Sequence, residues 1–435
     1  CAIFEGPPPD YDEVVALIRS KLPLVPRYRQ RVRFVPGGLG RPVWVDDPHF
    51  RIEYHVRHTA LPSPGSDDDL RTLMGRLMSQ ELDRHRPLWE TWVVEGLADG
   101  TWAMISKVHH SMVDGVSGTD LMAVVLDPSA DGSPPVDDDW QPEPAPSDAD
   151  LVGDAIAQTI VSPNEMARWA RSALRTPRRL VANARDIAEG AVALGARLQP
   201  NVALSIEGSI GPHRRWTWAS TTLADVKRVR VALGGTVNDV VLSAITRGFR
   251  DLLIHRGDEV EGVVVRTLVP VSVRTSGDHS FNNQVSGMIA ELPVGIADPL
   301  ERFGAVRAQM TDLKESHQAD AGGAISELAA FTPPLLLAIG FRTAVTVLRR
   351  APQRSVNTVT TNVPGPQIPL YACGREMLDY RPFVPLSHGV RTGVAILSYN
   401  GRVSFGVTGD WDSVPDVDVL AGGIEQGMTE LLALS

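Results

Sequence analysis

Nine acidic residues lie between Asp127 and Asp154, and no Lys or Arg appears until Arg168. This stretch is rich in Asp, Pro, Ser and Ala, and it constrains the fold more than any other feature. Such a composition cannot bury enough apolar surface to offset its ordering entropy, so it reads as a linker. It divides a chain of 435 residues into two parts, each long enough for its own core. The expected units are 1–126, a linker and helical crossover over 127–205, and 206–435.

Periodicity gives each part both strands and helices. In the first, a helix capped by Asp10 ends near Pro23, and a second covers about 68–82. Strands over 88–97 and 102–109 meet at Asp99-Gly100. Arg27, Arg29, Arg31 and Arg33 alternate as on a solvated strand face, with an anion site as the other reading. The opening Cys-Ala-Ile-Phe-Glu-Gly reads as a strand under way, so a preceding piece is expected. Residues 164–198 are helical in composition and read as a basic amphipathic helix, suited either to an anionic membrane or to packing across two domains. In the second part, helices are expected over 223–232, 236–255, 299–316 and 324–348, with strands over 263–273 and 356–361. The clearest hairpin runs from Thr392 to Val407 around Asn400-Gly401.

The net charge of −10 disfavours a general nucleic-acid binder, which needs a basic surface. Cys1 and Cys373 cannot make a disulfide framework, and a reducing cytoplasm is the default expectation. The most apolar uncharged run, Leu328 to Phe341, is fourteen residues and contains Pro333 and Pro334. A membrane span needs about 20 apolar residues, so no transmembrane helix is expected. A Walker loop, G-x-G-x-x-G, H-E-x-x-H and G-x-S-x-G are all absent.

The residues suited to chemistry are Lys107-Val108-His109-His110-Ser111-Met112-Val113-Asp114-Gly115. Strand alternation before the pair sends His109 and His110 to opposite faces, and the chain turns at Asp114-Gly115 into a helix over 116–126. An imidazole near its ordinary pKa can take a proton from a hydroxyl at neutral pH. Taken alone, adjacent histidines are also ordinary packing residues, Asp114 an ordinary N-cap, and no third ligand completes a zinc site.

This segment matches the H-H-x-x-x-D-G signature of the superfamily of chloramphenicol acetyltransferase, carnitine acyltransferases and peptide-synthetase condensation domains. More narrowly, the chain resembles the bacterial wax ester synthase/acyl-CoA:diacylglycerol acyltransferases, particularly the actinobacterial triacylglycerol synthases. Four further elements carry the likeness in order: Arg86-Pro87-Leu88-Trp89, Asn238-Asp239-Val240-Val241-Leu242, Val269-Pro270-Val271-Ser272-Val273-Arg274 and Thr361-Asn362-Val363-Pro364-Gly365-Pro366. Many relatives carry Ser where Thr361 stands; the hydroxyl is retained.

The resemblance implies an α/β fold of two chloramphenicol-acetyltransferase-like lobes, each a mixed sheet flanked by helices, with an active-site tunnel between them. It implies His110 as general base, His109 in support, and Asp114, followed by Gly115, in a structural ion pair for which Arg274 is the expected partner. Thr361 or Asn362 could donate to the oxyanion. Asn238 and Asp239 would shape the acyl-CoA channel, or simply cap a helix. Pro87, Leu88 and Trp89 would pack beside the channel. Arg214 and Arg215 could meet CoA phosphates or lie on the surface.

The implied activity is transfer of a long-chain acyl group from acyl-CoA to diacylglycerol or a fatty alcohol. It would proceed without an acyl-enzyme, with no metal or cofactor beyond the co-substrate acyl-CoA. Peripheral contact with a membrane or lipid droplet, through 164–198 or 328–348, is expected. The rivals are a carrier-protein-dependent condensation-type acyltransferase, a non-catalytic lipid-binding relative and a metal-dependent hydrolase.

Overall fold

The computed structural model describes residues 1–112, 124–134, 136–157, 203–272, 285–315 and 356–435. Among them lie two six-stranded sheets and a two-stranded ribbon.

The first sheet is built around β1 (Ala2–Phe4), β4 (Val56–Ala60), β5 (Trp89–Glu95) and β6 (Trp102–Val108). It is completed by β11 (Tyr371–Ala372) and β12 (Arg375–Tyr380), in the order β11-β12-β1-β6-β5-β4. Both β11 and β12 come from the 206–435 segment, so the division read from the sequence follows chain order but not sheet membership. One face of β5 and β6 packs on α1 (Tyr11–Lys21) through Val14, Val15 and Ile18, and on Leu22 just beyond it. Against the other face Leu70, Leu73, Met74 and Leu77 of α3 (Asp67–Ser79) pack on Ala103 and Ile105. A short helix, α2 (Ile52–His55), leads into β4; neither element is evident in the sequence pattern.

The second sheet has the order β7-β14-β13-β10-β8-β9. Its strands are β7 (Arg214–Thr222), β8 (Val265–Ser272), β9 (Val285–Leu292), β10 (Thr358–Pro364), β13 (Thr392–Tyr399) and β14 (Arg402–Asp410). Strand β10 runs parallel to both β8 and β13, and the remaining pairs are antiparallel. The hairpin between β13 and β14 turns at Asn400-Gly401 as expected, with positive φ at both residues. Helices α4 (Leu223–Leu233), α5 (Val237–His255), α6 (Pro299–Glu315) and α7 (Val417–Ala433) share its core.

The lobes meet where α3 lies on β7. Gly75 permits this, because a Cβ there would sit 2.6 Å from the Arg214 carbonyl oxygen. Ser79 Oγ accepts from the Arg214 N–H at 2.9 Å, and Trp216 Nε1 donates to the Pro382 carbonyl at 2.9 Å.

Two expectations are corrected together. Arg27 and Arg29 belong to a tight turn (Pro26–Arg29) that the proline initiates, and only Gln30–Arg33 forms strand β2, paired with β3 (Val43–Asp46). The arginine face is not simply solvated, and the acidic stretch is not a free linker. Arg29 makes a two-pronged pair with Asp138 and stacks on Trp140, while Arg33 reaches Asp148 Oδ1 and the Pro146 carbonyl, each at 2.7 Å. Residues 148–157 are helical and bury Leu151 and Ala155 against Val35. Composition missed this because the apolar surface and countercharge that hold the segment belong to residues about 100 positions earlier.

Arg302 on α6 is fully buried, and it pairs with Glu430 of α7 at 2.7 Å while donating to the Ala297 carbonyl at 2.9 Å. Glu430 also receives Arg247 of α5, which is bonded in turn to Asp251. Removing one partner of such a pair strands an uncompensated charge. Glu430→Ala should therefore destabilise the protein by about 3 kcal/mol in urea unfolding; a loss below about 1 kcal/mol would contradict this role.

Candidate active site

Strands β5 and β6 place the histidine pair. Trp89 lies opposite Val108 and Glu90 opposite Lys107, so Met104, Ser106, Thr91 and Trp89 share the α1 face while Lys107 and Glu90 share the α3 face. Lys107 Nζ donates to the Leu77 carbonyl at 2.9 Å and to that of Gln80, closing the end of α3. The same capping explains why α3 stops at Ser79, short of the expected 82. His109 extends the ladder by one bond, its N–H reaching the Leu88 carbonyl at 2.9 Å, and the chain then tightens into a 3-10 turn over His110–Met112. The turn replaces strand alternation from His110 onward, so the expected division of the pair between opposite faces, with one imidazole packed away, does not hold: both are exposed.

The two rings differ in their partners. His109 Nδ1 lies 2.7 Å from Ser111 Oγ and accepts the Ser111 backbone N–H at 3.2 Å. A backbone N–H can only donate, so the ring proton of neutral His109 resides on Nε2. Burial, then the charges of Arg84 and His110, hold His109 below the ordinary histidine pKa and favour that neutral form. The His110 ring makes no hydrogen bond to a described residue, so its nitrogens are uncommitted there.

The Arg86-Pro87-Leu88-Trp89 element is a buried clamp beneath this turn. Trp89 is 1% exposed, donates from Nε1 to the Tyr28 carbonyl at 2.8 Å, and stacks on His55 at 4.6 Å between ring centroids. His55 Nδ1 donates to the Trp89 carbonyl at 2.8 Å, and its other face stacks on Phe50. Trp89 also lines an apolar cavity with Ile18, Leu22, Val25 and Met104. Its wall includes Lys21, whose ammonium forms a buried pair with Asp127 at 2.6 Å.

In the second lobe, Asn238 and Asp239 start α5, where Asp239 and Thr236 form a reciprocal cap. Asp239 Oδ2 accepts the Thr236 N–H at 2.7 Å, and Thr236 Oγ1 accepts the Asp239 N–H at 3.3 Å. The capping reading thus accounts for one oxygen of this buried carboxylate; Oδ1 has no partner among the described residues. Thr361 and Asn362 are half-buried on β10, and the parallel pairs Thr358–Thr267 and Val359–Leu268 carry them toward the same sheet end as the Val269–Ser272 strand. Asp114, Gly115 and Arg274 lie outside the described residues, as do the stretches 164–198 and 328–348.

Arg214 is committed elsewhere: it donates to the Gly211 carbonyl at 2.6 Å and pairs with Asp410 at 3.6 Å. Arg215 is held by the Trp411 carbonyl and ring. Sequence reading missed Ser111 and His55. Ser111 sits at a variable position of the motif, and His55 gives no signal until folding stacks it on Trp89. No cluster of three or more metal-ligating side chains occurs among the described residues.

Residues 2–241 match the wax ester synthase/diacylglycerol acyltransferase catalytic domain, and 281–432 match the C-terminal domain of the same proteins. The chain is similar to a probable diacylglycerol O-acyltransferase of Mycobacterium tuberculosis, 39% identical over all of this chain and 90% of that protein. Its fold is similar to the wax ester synthase/diacylglycerol acyltransferase from Marinobacter aquaeolei VT8, with a TM-score of 0.68 at 25% identity, covering 99% of this chain and 92% of that one. The starter condensation domain of rhizomide synthetase shares the fold at 13% identity, with a TM-score of 0.57 over all of this chain and 87% of that one.

The His55 stack sets a pH dependence. Burial pushes the His55 imidazole from 6.5 down to about 4, so the folded protein keeps it neutral where the unfolded chain takes a proton. Its contribution is complete above pH 6.5 and is lost as pH falls toward 4, by about 3 kcal/mol in all. Urea unfolding from pH 7 to 4 should show this slope, reduced in His55→Asn; an equal slope in both proteins would contradict it.

Proposed function

The chain belongs to the wax ester synthase/diacylglycerol acyltransferase family, and we propose that His110 is the general base of its acyl transfer. The protein is an acyl-CoA-dependent O-acyltransferase whose substrates are an acyl donor and a lipid alcohol, in triacylglycerol or wax ester synthesis.

The observation that carries the assignment of the base is the contrast between the two imidazoles. The His109 Nδ1 lone pair is occupied by Ser111 and its Nε2 carries the proton, so neither nitrogen can accept one. His110 has no such commitment among the described residues. In the proposed reaction His110 takes the proton of the acceptor hydroxyl as the oxygen attacks the thioester carbonyl. The tetrahedral intermediate collapses, the C–S bond breaks, and the CoA thiolate leaves with the proton from the His110 imidazolium. No acyl-enzyme forms, and the sequence of bond changes requires no metal or prosthetic group.

Thr361 or Asn362 is the proposed donor to the oxyanion, worth about 3 kcal/mol when aligned. Their place beside the Val269–Ser272 strand end supports this. Arg214 and Arg215 are not proposed to bind CoA phosphates, given their internal partners. The Asp114–Arg274 ion pair remains a proposal resting on the family resemblance.

Peripheral contact with a membrane or lipid droplet is proposed on the chemistry of the acceptor, which partitions into lipid. Among the described residues no single helix is long and apolar enough to cross a membrane. The apolar residues of α5, Val240, Val241, Leu242, Ile245 and Phe249, are buried in the second core.

Acceptor-dependent CoA release from a long-chain acyl-CoA, with diacylglycerol or hexadecanol, tests the base. His110→Ala should lower it by about 10²-fold or more; retention of parental turnover would overturn the assignment.

A further inference from the structure

The His109–Ser111 contact says more than that His109 is not the base. Two donors, the Ser111 hydroxyl at 2.7 Å and the Ser111 backbone N–H at 3.2 Å, converge on one lone pair. The hydroxyl can rotate to donate or accept, but the backbone group cannot. The His109 main chain is held equally firmly, by its N–H to Leu88 and by its carbonyl, which accepts the Met112 N–H at 2.9 Å. The result is an imidazole with fixed placement and a single remaining polar group, an Nε2–H, on a residue that is exposed among the described residues.

A donor of this kind suits a carbonyl oxygen, and the substrate of the adjacent base contains one at the reacting carbon. We infer that His109 donates a hydrogen bond from Nε2 to the thioester carbonyl of bound acyl-CoA, and that Ser111 is the positioning residue that fixes the tautomer. The bond strengthens as that oxygen gains negative charge, so its effect falls on the chemical step rather than on binding. The adjacent histidines would then divide the work: one moves the proton while the other, which keeps its own, holds the oxygen. The inference rests on acyl transfer with His110 as base.

The test uses the whole chain and two readouts. Glutamine can present an amide N–H near the position of Nε2, whereas asparagine places one near Nδ1. His109→Gln should therefore retain kcat within about tenfold, while His109→Asn and His109→Ala should each lose about 10²-fold in kcat with little change in KM for acyl-CoA. In protein labelled with nitrogen-15 at histidine, the ring spectrum should show His109 protonated at Nε2. Ser111→Ala removes the hydroxyl but keeps the backbone N–H, so the ring should stay protonated on Nε2 while looser placement lowers kcat by less than His109→Ala does. Circular dichroism melting of each variant separates loss of function from loss of fold.

The inference is overturned if His109 carries its proton on Nδ1, if glutamine and asparagine perform alike, or if the loss falls on KM. A loss on KM with acyl-CoA but not with a short acyl-N-acetylcysteamine thioester would place the contact on the pantetheine amides instead. Full activity in His110→Ala would remove the base assignment while leaving the His109 tautomer to be judged by its spectrum, so the two failures are distinguishable.

Discussion

The insertion of β1 between β6 and β12 is the pairing on which the rest of the molecule depends. Ala2 lies opposite Met104 on one side and Tyr380 on the other, so the strand that ends at the histidine pair takes its register through β1 from the C-terminal half. The chain reaches β12 by leaving β10 through the Pro364-Gly365-Pro366 turn. The Gly365 N–H bonds to the Ser398 carbonyl at 2.9 Å, and a Cβ at Gly365 would sit 2.3 Å from that oxygen, which only glycine tolerates. Tyr399 then pins the crossing, its hydroxyl accepting the Leu370 N–H at 2.8 Å and donating to the Met377 carbonyl at 3.0 Å. The turn that follows Thr361 and Asn362 is thus also the thread between the two sheets.

Charge is used internally to the same end. The acidic segment after Asp127 pairs with Arg29 and Arg33, and its start is anchored by Lys21, beside the apolar cavity. Pairs of this kind gain little over apolar packing, but they penalise any arrangement that separates their partners. Here they tie the chain that follows the histidine segment back to α1 and the β2–β3 ribbon.

Elements with strong local signals were legible from the sequence: α1, α3, α5, the β5–β6 pair and the hairpin at Asn400-Gly401 all stand close to where periodicity, caps and turn residues put them. The family resemblance supplied the two-lobed α/β architecture, and the fold bears it out. What escaped was non-local. Strands β7, β11 and β12 carry polar or mixed sequences whose pairing is decided by partners far along the chain. Asp10 caps α1 without its side chain: its backbone carbonyl accepts the Glu13 N–H. The site shows the same division: the histidine pair and Trp89 were visible as a motif, whereas the roles of Ser111 and His55 depend on which ring nitrogen faces which backbone group.

The central claim is direct transfer within a complex holding both substrates. Initial rates measured over a grid of acyl-CoA and acceptor concentrations, with intact-mass analysis of protein incubated with acyl-CoA alone, test it most directly. The account predicts intersecting double-reciprocal lines and an unmodified protein mass. Parallel lines, together with a mass increase of one acyl group, would contradict it.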